Sequence, residues 1–390
     1  MSDVFIFSAK RSAIGTFGGS LAQTTARQIL SDVFCAALRD KDISPEQLGT
    51  AIIGNVIHTA SDDPYLARAC AIDCGLPQNS TALAVNRLCG SGLQAIIQTA
   101  MAIKLGDVSS GIAGGVEMMS RAPHIAPDMR FGRKMGDATF IDMLLAPLTD
   151  PFGNDHMGIT AENIAKEFGI DRAQQDAFAT ESHRRATRAI ENGYFKEQIV
   201  PIEAVAGRKT ITFDQDEHVR TTASYEDMAK LRAVFQKDGS VTAGNASGIN
   251  DGAAALVLGN EEMAKSFAPL ARIVSYGHAG VAPEIMGMGP VSATKQALSR
   301  AGLSVKDLDV IESNEAFAAQ ACAVSQALDF DPSLVNPNGG AIALGHPVGA
   351  TGAIITTKLI HELKRTNGRY GLATMCIGGG QGVSLVIEAL

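Results

Sequence analysis

The chain has 390 residues, 40 of them glycine, with 46% hydrophobic and 19% charged residues and a formal net charge of −8. That length exceeds what one hydrophobic core serves, so two or three domains of an ordinary soluble protein are expected. The acidic balance, the absence of Trp and the 5% aromatic content exclude nucleic acid and stacked carbohydrate as main partners.

In chain order, Val4-Phe5-Ile6-Phe7 reads as a first strand and Ala26 to Leu38 as an amphipathic helix. A capped turn, Ile43-Ser44-Pro45-Glu46-Gln47-Leu48, leads to a buried strand over Ala51 to Val56. Val85-Asn86-Arg87-Leu88-Cys89-Gly90-Ser91-Gly92 is a turn of small residues entering a helix that runs to Leu105, and a strand ends at Gly111 to Gly115. The same order returns near the C-terminus. A helix over Ala293 to Ala301 leads to Leu303-Ser304-Val305-Lys306-Asp307-Leu308 and a strand, Asp309 to Glu312, ending at Asn314. A Gly-rich turn from Asn336 to Gly352 then enters a helix to about Lys364, and a strand over Gly371 to Cys376 closes on Gly378-Gly379-Gly380. The offset between the two halves drifts over about 250 to 265 residues, which predicts a duplicated α/β unit with insertions. Between them, Arg121 to Gly158 is rich in Pro, Met and Gly and predicts an irregular cover. Ile159 to Asn192 is helical in pattern, with a second helix start at Asp171, and short strands and turns follow to residue 247.

Cysteines stand at 35, 70, 74, 89, 322 and 376, with no CxxC pair and no His cluster beside them. No zinc site and no disulfide framework are expected, and the N-terminus lacks the charged-then-apolar pattern of a signal peptide. No apolar run reaches membrane-spanning length, so a cytoplasmic location is expected.

Cys89 sits where a loop enters a helix, a place that favours its thiolate, with Gly90 and Gly92 keeping the wall around the sulfur low. Alone, it could equally be a small core residue. Three further blocks bring chemistry to corresponding turns and strand ends of the duplicated unit: Gly345-His346-Pro347 to Gly352, Asn314-Glu315-Ala316-Phe317-Ala318, and Met375-Cys376 with its glycines. Open α/β sheets place ligands at such ends, and a Cys–His pair across the seam is an activated-nucleophile arrangement. Asn245-Ala246-Ser247-Gly248 adds a platform of small residues.

The Cys89, Asn314, His346 and Cys376 blocks, in that chain order and spanning essentially the whole chain, resemble the signature blocks of the thiolases. Thr351 and Ser313 are departures; the family commonly has Ser at the first position and Ala or Ile at the second. The segment His156-Met157-Gly158 to Asn163 is similar to that of biosynthetic acetyl-CoA acetyltransferases and short-chain β-ketothiolases. The resemblance implies a duplicated, layered αβαβα fold with mixed sheets. Its parts would be an N-terminal half (1–120, completed by 248–270), an inserted lid (121–247) and a C-terminal half (271–390). It implies reversible condensation of two acetyl-CoA to acetoacetyl-CoA and CoA through an acyl-cysteine, or, in the alternative, degradative cleavage of longer 3-ketoacyl-CoA. Cys89 would be the nucleophile, His346 its base and Cys376 the base at the α-carbon. His346 with a water on Asn314 would make one oxyanion site, and the N–H groups of Cys89 and Gly378 the other. CoA would run along Ser247 with Ala243, Gly244 and Ala246, with Arg220 near its nucleotide end. His156, Met157, Phe235, Met286 and Phe317 would stand around the thioester and acyl group. No metal, no tightly bound cofactor and no membrane are implied, and the assembly would be a homotetramer built from dimers. A ketosynthase would not need Cys376, and a non-catalytic acyl-CoA-binding protein would not need the four blocks intact.

Overall fold

The computed structural model describes residues 3–390. In the N-terminal half, β1 (Phe5–Ser12), α1 (Ala26–Arg39), β2 (Thr50–Gly54), α2 (Leu66–Asp73), β3 (Thr81–Val85), α3 (Ser91–Leu105) and β4 (Ser110–Met118) follow in turn. The insertion carries α4 (Met157–Glu167) and α5 (Arg172–Glu191), then β5 (Asn250–Gly259) returns to the first half's sheet. The second half consists of β6 (Ala271–Gly280), α6 (Gly289–Ala301), β7 (Val310–Ser313), α7 (Ala318–Leu328), α8 (Thr351–Thr366), β8 (Tyr370–Ile377) and β9 (Gln381–Ala389).

Local chemistry explains the elements. Thr25 caps α1 by accepting from the Gln28 N–H, and Ile29, Leu30, Val33, Phe34 and Ala37 give the helix one buried face. Asp171 and Gln174 form a capping box at α5, and Gly169, at φ 66°, separates it from α4. β4 is buried along its whole length, as a strand covered on both faces must be.

The strands form one continuous sheet in the order β7-β8-β9-β6-β1-β5-β4-β2-β3, with the halves joined where Phe5 and Ile6 of β1 pair antiparallel with Arg272 and Ala271 of β6. The order is mirrored about that junction: β2 lies parallel to β4 in one half and β7 parallel to β8 in the other. Helices α3 and α8 pack together between the two halves of the sheet. A Cβ on Gly92 would fall 2.8 Å from the Ala353 nitrogen, and one on Gly352 would fall 2.2 Å from that of Leu93, so only glycine fits at either point. Their shared core takes Leu93, Ile96 and Ile97 from one side and Ile354, Leu359 and Met375 from the other. Separate clusters lie under α1 and α2 and under α6 and α7.

One expectation is corrected. Cys35 of α1 and Cys74 at the end of α2 pair as a disulfide, although nothing in the cysteine spacing announced one. Their Cα atoms lie 5.4 Å apart because α1 and α2 pack side by side, a tertiary fact that spacing does not carry. Among the described residues no helix is long and apolar enough to cross a membrane.

Candidate active site

The turn before α3 delivers Cys89, which is half-buried. Leu88 holds φ 48°, a left-handed conformation that a branched residue adopts only when its surroundings require it. The backbone N–H groups of Gly378 and of Cys89 itself point at the sulfur and favour its thiolate. Burial outweighs them and pushes the thiol up to about 11, with the Glu117 carboxylate adding in the same direction. The expected thiolate is thus reversed: a helix start is legible in sequence, its desolvation is not.

The turn before α8 delivers His346, whose own N–H donates to Asn250 Oδ1 at 2.9 Å. Its Nδ1 lies 2.7 Å from Thr351 Oγ1, and that hydroxyl donates to Pro347 O at 2.9 Å. With the hydroxyl hydrogen so committed, Nδ1 must be the donor, which leaves the Nε2 lone pair free. Burial drives the imidazole down to about 4, so it rests neutral. Nε2 lies 3.5 Å from Asn314 Nδ2. Asn314 is 1% exposed at the end of β7, and its Oδ1 has no partner among the described residues.

Cys376, near the end of β8, is fully buried, and burial first, then Cys89, raises its thiol far above the ordinary range. It shares an apolar cluster with Met157, Met286, Ala316 and Phe317, with Phe235 and Ala246 packed against it. Phe235 meets Phe317 edge-on at 6.2 Å and stacks on His156 at 4.7 Å. A Cβ at Gly158 would strike the Phe235 ring at 2.3 Å, which explains the small residue after Met157. At Gly378 a Cβ would fall 2.9 Å from Met157 Cε and 3.1 Å from Leu88 Cδ1, so the β8–β9 turn, the α3 turn and α4 close together.

The small-residue platform is tied to this floor: Ser247 N–H donates to Ala316 O, and Ala318 N–H to Asn245 O. Ala243 is exposed, Ala246 and Ser247 half-buried, and Gly244 is buried where a Cβ would meet Met228 and Leu231. Arg220 lies apart from the apolar cluster. Its N–H donates to His183 Nδ1, and its charge helps burial lower both His183 and His218. The structure therefore gathers Cys89, Cys376 and Gly378 with the Met157–Phe317 wall, sets Asn314 beside His346 at the turn before α8, and keeps Arg220 among histidines. Sequence reading passed over Glu117, Asn55, His183 and His218; a lone carboxylate in the apolar run Ile112 to Met119 was the available signal for the first.

Family models for the thiolase N-terminal domain and the thiolase C-terminal domain match residues 4–262 and 267–389. The chain is 57% identical to the beta-ketothiolase BktB of Cupriavidus necator, over 100% of this chain and 99% of that protein. It is 50% identical to an acetyl-CoA acetyltransferase of the same organism, over the full length of both. A crystal structure of human mitochondrial 3-ketoacyl-CoA thiolase in complex with CoA superposes with a TM-score of 0.97 at 44% identity, covering 100% of this chain and 98% of that one. Matched from end to end by both domains, the chain belongs to the thiolase family of acyltransferases.

Proposed function

We propose that this thiolase is a short-chain enzyme that condenses two acetyl-CoA to acetoacetyl-CoA and CoA, and runs the reverse thiolysis. The observation that carries this reading is the apolar cluster of Met157, Met286 and Phe317 packed with Cys376, with Phe235 against it, a wall that suits a short acyl group. In the first half-reaction, neutral His346 takes the Cys89 proton at Nε2 as the sulfur attacks the thioester carbonyl. The carbonyl oxygen becomes an oxyanion facing the N–H groups of Cys89 and Gly378; CoA leaves with the proton of Cys376, which is left as the thiolate, while His346 keeps the Cys89 proton at Nε2. The second acetyl-CoA then loses a methyl proton to the Cys376 thiolate. A thiol whose burial raises its affinity for protons is the stronger base against so weak a carbon acid. The enolate oxygen is held by the Nε2–H that His346 now carries and by a water on Asn314; its carbon attacks the acetyl-cysteine, the C–S bond breaks, and the departing Cys89 takes its proton back from His346.

The CoA thioester is the substrate, no cofactor is held tightly, and its arm runs along Ser247, Ala246, Gly244 and Ala243 toward Arg220. We read residues 1–120 with 248–270 and 271–390 as the two halves and 121–247 as the cover. The exposed Phe131, Met135 and Phe140 on that cover suit a buried contact in a tetramer, in the cytoplasm. Acid-quenched protein incubated with acetyl-CoA should carry an acetyl thioester on Cys89 and none in Cys89→Ser. An acetyl group on Cys376 instead would reverse the two thiols. The similarity to the beta-ketothiolase favours, as a second reading, five- or six-carbon 3-ketoacyl-CoA substrates. Comparable kcat/KM for 3-ketovaleryl-CoA and acetoacetyl-CoA would establish it, whereas a preference for 3-ketooctanoyl-CoA would favour the degradative enzyme.

A further inference from the structure

The duplication makes a second copy of the reaction centre, and something else occupies it. In the second half, Ser313 of β7 pairs with Thr374 of β8, Asn314 follows, and Cys376 pairs with Gly382. In the first half, Gly54 of β2 pairs with Gly115 of β4, Asn55 follows, and Glu117 pairs with Gly252 of β5. Register thus makes Asn55 the counterpart of Asn314, and Glu117 that of Cys376. Helix α3 is capped by Gly90 and α8 by Ala350, so the counterpart of Cys89 is Gly349, three residues beyond His346.

Where the second half directs a thiol at Cys89, the first directs a carboxylate at Gly349. Glu117 is fully buried; burial pushes its carboxyl up, against the backbone N–H groups of Ile57, Gly349 and Val56, which favour the carboxylate. Its Oε2 accepts from Gly349 N–H at 2.9 Å and Val56 N–H at 3.1 Å; its Oε1 accepts from Ile57 N–H at 3.0 Å and Asn55 Nδ2 at 3.3 Å. A buried acceptor with four convergent donors is costly to disturb on either side. A Cβ on Gly349 would fall 2.6 Å from Oε2, so the turn is pressed against the carboxylate with no room to slide.

We propose that Glu117 is a positioning residue, its carboxylate seated in the twofold counterpart of the reaction centre and clamping the His346 turn from the opposite half. The proposal rests on the reading of His346 as the base for Cys89. Through Gly349 it fixes where Nε2 stands relative to the nucleophile. It also explains why a carboxylate lies inside an otherwise apolar strand. Glutamine is the sharp substitution, because both oxygens accept and either amide orientation turns an NH2 toward N–H donors.

The test compares Glu117→Gln, Gly349→Ala and His346→Ala by thiolysis of acetoacetyl-CoA and by the rate of iodoacetamide alkylation at Cys89, which needs no turnover. Glu117→Gln should lower kcat about 10- to 100-fold with KM within about twofold, as expected of a misplaced catalytic group, and slow Cys89 alkylation in parallel. Gly349→Ala, which keeps Glu117 and pushes on it from the other side, should show the same split. Should Glu117→Gln fail to fold, Gly349→Ala decides. Unchanged kcat in folded protein, or a loss that follows the folded fraction while alkylation per folded molecule stays constant, overturns the clamp. If His346→Ala itself leaves kcat and alkylation intact, the reading of His346 falls instead.

Discussion

Two turns enter the central helix layer from opposite halves, and they hold their groups by different means. The Cys89 turn relies on backbone: a left-handed Leu88, the following Gly90 and Gly92, and N–H groups aimed at the sulfur of a partly buried Cys89. The His346 turn relies on side chains, with Asn250, Thr351 and Glu117 each bonded to it and the imidazole 6% exposed. A nucleophile must reach incoming substrate, so it is hemmed by atoms that cannot swing away. A base must keep one tautomer and one direction, which side-chain partners fix.

The comparison breaks first at the sulfur. Cys89→Ala should lose more than about 10⁴-fold in thiolysis, since no other group can carry the acyl intermediate. His346→Ala should cost about 10²- to 10⁴-fold in kcat, the range for a positioned acid–base group, with CoA affinity by calorimetry unchanged. Acid should next act through stability, at His346 and at His183 of α5. His346 and His183 titrate near 4 in the folded protein against an ordinary 6.5, so the unfolded chain takes their protons first as pH falls. Their contribution is full above 6.5 and declines by on the order of 3 kcal/mol per histidine as pH drops through 4. Denaturant unfolding of the wild type and His183→Asn between pH 7 and 4 measures this, and a flatter curve in the variant is expected. The smallest effect belongs to Thr351. Thr351→Val should lower kcat about tenfold, equivalent to one lost hydrogen bond, and Thr351→Ser should restore it.

What was legible in the sequence follows from where the information lies. Cys89, His346, Asn314 and Cys376 sit in short blocks of small residues at turns and strand ends, where local composition reveals the backbone. The repeated Ser44 and Ser304 turns exposed the duplication, and both precede 3₁₀ turns, Pro45–Gln47 and Val305–Asp307. The half-exposed strand β3 escaped notice because Thr81 to Val85 lacks a consistent buried face. The pairing of Cys35 with Cys74, the direction of the Cys89 shift and the donors around Glu117 are all products of packing between distant segments. No local pattern encodes them.

The reciprocal contact of Gly92 and Gly352 has an evolutionary reading. Each helix presents bare backbone to the other, so neither half can gain a side chain at the seam unless the other recedes. Once the ancestral unit had duplicated, its copies were free to diverge in their turns, into thiol, imidazole and carboxylate, but not along this line. Halves taken from distant relatives should therefore join only where both donors have kept glycine here.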